Sequence, residues 1–110
     1  MSLLATVRGG HMRPDAASQS EPWVFRLYVA GVSPNSTRAI ANLYDICRKY
    51  IDGKYEVEII DVLADPLRPI RDGVLATPTV IKVSPPPEIQ LWGTLDDRDK
   101  VLMSLGIRAH

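Results

Sequence analysis

The residues best placed to do chemistry are Ser33, Asn35 and Ser36, grouped around Pro34 directly after an apolar run. The tetrad reads as the opening of a helix, with Ser33 as N-cap and Pro34 in the first helical position, where its missing N–H costs nothing. A helix start of this kind can present N–H groups and hydroxyls to an anion. Capping with no ligand is the favoured reading. Thiol–disulfide chemistry at the same place needs a cysteine whose pKa the helix terminus lowers. A serine hydroxyl has no comparable acidity. The single cysteine, Cys47, falls on the apolar stripe of a helix, as a small core residue. Thiol exchange is therefore excluded. His11 lies in an irregular N-terminal stretch and His110 at the terminus, so neither serves as base or metal ligand. Asp96, Asp97 and Asp99 resemble paired acids, but at a helix start they act as caps facing the macrodipole. Arg26, Arg38, Arg48 and Lys49 are scattered, and no glycine-rich phosphate loop is present. No catalytic residue, metal site or cofactor is assigned.

The elements that hold the tetrad follow from periodicity. Val24 to Ala30 is apolar on even and odd positions except at Arg26, the pattern of a strand buried on both faces inside a sheet. Gly31 allows a sharp exit. Ile40, Leu43, Tyr44, Cys47, Tyr50 and Ile51 then form one helical stripe that stops at Asp52-Gly53. Tyr55 to Val62 alternates, with Glu56 and Glu58 on a wet face near its start. A helix between two strands implies a right-handed crossover and parallel pairing. Ala64 to Val74, with Pro66 and Pro69, can hold only a brief or irregular helix. Leu75 to Val83 is the next strand, with Thr77-Pro78 near its start. Pro85-Pro86-Pro87 connects it to an alternating stretch, Glu88 to Trp92, closed by Gly93. Asp96 to Leu105 is a final helix, with Gly106 as its stop. The order is β-α-β-(α)-β-β-α, a parallel unit followed by an antiparallel hairpin. This is an α/β, thioredoxin-like layout.

A length of 110 residues supports one domain, with residues 1–22 expected as a flexible extension and 23–107 as the folded unit. Thirteen basic and thirteen acidic residues cancel, which gives no electrostatic case for nucleic acid or an anionic membrane. No apolar run approaches the roughly 20 residues that span a bilayer, and no signal peptide is evident. A lone cysteine fits a reducing compartment, so the expected location is the cytoplasm.

Several stretches carry a resemblance. Leu27-Tyr28-Val29-Ala30-Gly31, the Ser33-Pro34-Asn35-Ser36 turn with Arg38-Ala39, and Ile60-Asp61-Val62-Leu63 with Pro66 resemble the KaiB clock-protein family. So do Leu75-Ala76-Thr77-Pro78-Thr79, Pro85-Pro86-Pro87 and the ending from Gly93 through Leu95, Asp97, Arg98 and Lys100 to Leu102. The likeness runs from about Trp23 to Leu105. It implies a non-enzymatic regulator that binds a KaiC-like hexameric ATPase and kinase and modulates its phosphorylation. KaiA or a clock histidine kinase are the further partners, and self-association to dimers or tetramers is expected. It also implies fold switching, with a shared N-terminal β-α-β half and a variable C-terminal half. The self-assembling ground state is expected to dominate in crystals over the thioredoxin-like state.

On this resemblance Arg38, Glu56, Glu58 and Asp61 face the partner. Gly31, Pro34, Pro78, Pro85, Pro86, Pro87, Gly93, Ser104 and Gly106 determine the fold. The family commonly has Gly and Asp where this chain has Ser104 and Gly106. Ser104 is expected to favour a helical ending and Gly106 to loosen it. Family members often carry Ala and Lys where Glu56 and Glu58 stand. The alternative reading is a thioredoxin-like domain that binds a small anion or thiol in a stress response.

Overall fold

The computed structural model describes residues 21–108. The expected extension therefore lies, up to residue 20, outside the described residues, as do His11 and His110. Glu21 and Pro22 are described, and both accept hydrogen bonds from Ser84 Oγ at 3.1 Å.

Seven elements follow in the expected order: β1 (Trp23–Val29), α1 (Pro34–Tyr50), β2 (Tyr55–Asp61), α2 (Leu67–Asp72), β3 (Thr79–Ser84), β4 (Ile89–Trp92) and α3 (Arg98–Leu105). They build a four-stranded sheet in the order β2-β1-β3-β4. β1 pairs with β2 in parallel and with β3 antiparallel, and β3 pairs antiparallel with β4 across the three prolines. The run read as doubly buried is thus an inner strand. Phe25, Leu27 and Val29 pack on one face with Ala39, Leu43, Ile46 and Cys47 of α1 and Val101, Leu102 and Leu105 of α3. Tyr28 packs on the other face with Ile60, Val74 and Ile81, in the layer that includes α2. The α1 stripe is centred slightly off the expected one, since Ile46 is buried while Tyr44 is only half-buried. No helix among the described residues is long and apolar enough to cross a membrane.

Two boundaries differ from expectation. The third strand starts at Thr79, not Leu75. Pro78 has no N–H for the ladder, and Leu75 stands almost wholly exposed before it. The Thr77–Pro78 bond is cis. The final helix starts at Arg98, because Asp97 is its N-cap and accepts from the Lys100 N–H at 3.2 Å. The short helix after β2 falls within the expected stretch, spanning Leu67–Asp72 and ending at Gly73, whose φ is 75°.

The end of α3 overturns one expectation. Gly106 does not loosen the helix; it closes it. Its φ of 72° is left-handed, its N–H donates to Met103 O, and the Ile107 N–H donates to Leu102 O at 2.9 Å. This is a Schellman closure, in which glycine avoids the Cβ penalty that other residues incur. Lys82 of β3 adds a second closure. Its Nζ is buried, donates to Leu105 O at 3.1 Å and lies 5.4 Å from the centre of the Trp23 ring. A cation at a helix C-terminus meets the favourable end of the dipole. Burial holds the Lys82 pKa below the ordinary lysine value.

A Cβ at Gly106 would sit 3.8 Å from Lys82 Nζ, an ordinary contact, so the cost of adding one lies in the backbone and not in space. Gly106→Ala is expected to lower unfolding free energy by about 1 kcal/mol. Urea unfolding should show a lower midpoint with an unchanged slope.

Candidate functional site

The loop ends of β1 and β2 are joined by one carboxylate. Asp61 Oδ1 accepts from the Gly31 N–H and the Leu63 N–H, each at 3.0 Å. It therefore fixes the β1–α1 turn against the chain leaving β2. Gly31 has a φ of 63°, and a Cβ there would come within 3.2 Å of Leu63 Cδ1, so both torsion and space favour glycine.

The serine tetrad beside this turn is folded inward. Ser33 caps α1, its Oγ accepting from the Ser36 N–H at 3.2 Å and donating to Ser36 Oγ at 2.9 Å. Ser36 Oγ also accepts from the Ala30 N–H at 3.2 Å, and Ser36 is buried. These hydroxyls serve the turn, which favours capping over an anion site. Cys47 is fully buried in the α1 stripe, and burial pushes its thiol pKa up to about 12. A thiol held protonated in the core is a poor nucleophile.

The partner-facing candidates do not converge on one spot. Arg38, on α1, forms an exposed ion pair at 3.2 Å with Asp96, before α3. Asp96 also accepts from Thr94 Oγ1 at 2.7 Å and Asn42 Nδ2 at 2.9 Å. Those hydrogen bonds first, and then Arg38, hold its carboxyl below the usual range. Glu56 and Glu58 lie on β2, the free edge of the sheet, opposite Val24 and Arg26. Both are exposed. Asp61 is half-buried and committed to the turn.

Glu58 belongs to a polar network that the sequence reading did not identify. It lies 3.6 Å from Arg26 and 3.4 Å from Arg68. Arg68 Nε donates to Asp72 Oδ2 at 2.9 Å, and the same oxygen accepts from the Tyr28 hydroxyl at 2.5 Å. The hydroxyl of a buried inner-strand tyrosine is thus satisfied by the last residue of α2. Burial, then the Asp72 contact, raises the Tyr28 pKa to about 12. The Tyr28 hydrogen bond, and then Arg68, hold Asp72 below the usual carboxylate range. Arg26 was the available signal: a charged residue in a doubly buried strand requires partners, and register supplies Glu58. Among the described residues no group of His, Cys, Asp and Glu could hold a metal.

The chain and its fold are similar to known proteins. The family model described as "KaiB domain" matches residues 26–107. A protein described as circadian clock oscillator protein KaiB from Microcystis aeruginosa is 46% identical over 85 residues, covering 77% of this chain and 82% of that one. Its counterpart in Trichodesmium erythraeum is 45% identical over the same length, covering 77% and 82%. Among solved structures, the N-terminal domain of Synechococcus elongatus SasA superposes with a TM-score of 0.66 at 20% identity, covering 89% of this chain and 94% of that domain. Chloroplastic thioredoxin z does so with 0.62 at 18% identity, covering 83% and 81%. The structural likenesses establish a thioredoxin-like fold.

The Tyr28 phenol tests the network. A folded-state pKa raised from 10.0 to about 12 means that the folded protein keeps a proton the unfolded chain gives up. Its stabilisation is intact below pH 10 and is lost as pH rises through about 12. Tyr28→Phe should remove that alkaline fall and lower Tm at pH 7 by roughly 5 °C. Thermal unfolding from pH 7 to 12, alongside phenolate absorbance, reads both effects.

Proposed function

The chain belongs to the KaiB family of circadian clock proteins, and on that premise we propose that it is a non-enzymatic clock or timer regulator. It binds a KaiC-like hexameric ATPase and modulates the phosphorylation of that partner. The observation that carries this reading is the family match across residues 26–107, nearly the whole described domain. The chemistry of the site agrees. Its serine hydroxyls are spent on capping and its one thiol is buried, so the arrangement favours a binding role over catalysis. KaiA or a clock histidine kinase would be the further partners, and the protein acts in the cytoplasm.

The exposed edge of β2 is the proposed contact. Edge strands present unpaired backbone groups, and charged side chains keep them from indiscriminate pairing. Glu56 and Glu58 supply that charge, so they select the partner as well as protect the edge. Arg38 adds a cation on α1. Asp61 contributes through the turn it fixes. The same edge, with exposed Ile59, is a route to dimers or tetramers in the free protein. The thioredoxin-like arrangement is the form that engages the ATPase, and the C-terminal half is the part that rearranges in the self-assembled form.

Size-exclusion chromatography with a KaiC-like ATPase, with and without ATP, tests the reading. Co-elution with the hexamer is expected in at least one nucleotide state. Glu56→Lys, which alters an exposed position, should weaken binding about tenfold. Failure to co-elute in every nucleotide state would overturn the assignment. Unchanged binding by Glu56→Lys would remove the β2 edge from it.

A further inference from the structure

α2 ends at Asp72 and leaves part of its side of the sheet uncovered. Register places Glu58, Arg26, Ile81 and Gln90 in one row across all four strands. Trp92 follows two positions after Gln90 on β4, so the two side chains share a face. Trp92 is 71% exposed. A depression of about 350 Å³ opens between this row and the end of α2, lined by Arg26, Asp72, Ile81, Glu88 and Gln90.

Its polar groups are only partly used. Asp72 Oδ2 takes both the Tyr28 and the Arg68 hydrogen bonds, which leaves Oδ1 without a partner among the described residues. Glu88 and the Gln90 amide likewise have none among them. Arg26 and Arg68 already face Glu58 and Asp72. Glu88 is therefore the uncompensated charge at this hollow. A planar cation with several donors complements the free Glu88 carboxylate, the remaining oxygen of the paired Asp72 and an amide oxygen. An exposed indole on the same face adds a surface on which such a cation stacks.

We propose that this hollow is a docking pocket for an arginine side chain of a partner protein, held by Glu88, Asp72 Oδ1 and Gln90 and flanked by Trp92. It lies on the open sheet face beside β4, with no residue of β2 in its lining, and so goes beyond the reading above. The hollow opens on the sheet face and Trp92, two positions from Gln90, is exposed outside its lining, which suits a side chain presented from a protein surface, where arginine and tryptophan commonly anchor contacts.

The ¹⁵N-labelled full chain is titrated with Nα-acetyl-arginine amide, which mimics an arginine within a polypeptide. Saturable shifts are expected at the Trp92 indole, the Gln90 side-chain amide, Arg26 and Glu88. Nα-acetyl-citrulline amide, of similar shape but neutral, should shift none of them. Glu88→Gln and Trp92→Ala, both exposed positions, should each weaken binding about fivefold. Free arginine should bind no more tightly than the blocked amide. Equal response to citrulline, indifference to Glu88→Gln, or absence of saturation would overturn the pocket. Shifts centred instead on Asp45 and Asp96 to Asp99 would do the same. Tighter binding of free arginine would mark a small-molecule site and overturn the protein partner.

Discussion

A strand buried on both faces leaves little room for exposed functional groups, and β1 imposes that constraint on this domain. Phe25, Leu27 and Val29 commit one face to α1 and α3, and Tyr28 commits the other to the α2 layer. The proposed contacts therefore fall where β1 leaves room: the edge of β2 and the open sheet face beside β4. The polar exceptions confirm the rule. Tyr28 and Arg26 are tolerated because Asp72, Arg68 and Glu58 lie where register and the end of α2 bring them. A buried hydroxyl or a half-buried guanidinium without such partners would cost more than packing returns.

The legible part of the fold was written in short-range pattern. Continuous apolarity predicted an inner strand at β1, alternation predicted a half-wet β2, and the 3.6-residue stripe predicted α1. Ser33 and Pro34 marked its start correctly because capping depends on residues three apart. Boundaries at β3 and α3 were misplaced by a few residues, since Leu75 and Asp96 suit several local conformations and tertiary contacts decide among them. Asp96 is drawn out of the helix by Arg38, Asn42 and Thr94, the first two more than 50 positions away. Contacts of that separation leave no periodic trace. The Tyr28–Asp72 bond and the hollow beside Gln90 were illegible for the same reason, as each needs the sheet order before its members become neighbours.

The C-terminal half ends in a short helix whose last turn depends on tertiary contacts. α3 has only eight residues, too few to persist without tertiary support. Its end is closed twice, by Gly106 and by Lys82. The second closure buries an ammonium against a carbonyl and an aromatic ring, with no carboxylate partner among the described residues. Such a charge is retained only where it meets a helix terminus and is costly once that terminus is gone. Lys82 thus couples β3 to the helical state of α3. The Gly106 turn contributes in the same direction, so the glycine and the lysine both support the helical end of α3.

The central claim is that this arrangement, with α3 helical, is the form that binds the ATPase. The most direct test is the backbone Cα chemical shift from Arg98 to Leu105, recorded on deuterated, labelled protein bound to a KaiC-like hexamer. Helical shifts across those residues, ending at Gly106, are predicted. Strand shifts over the same residues in the complex would contradict the account.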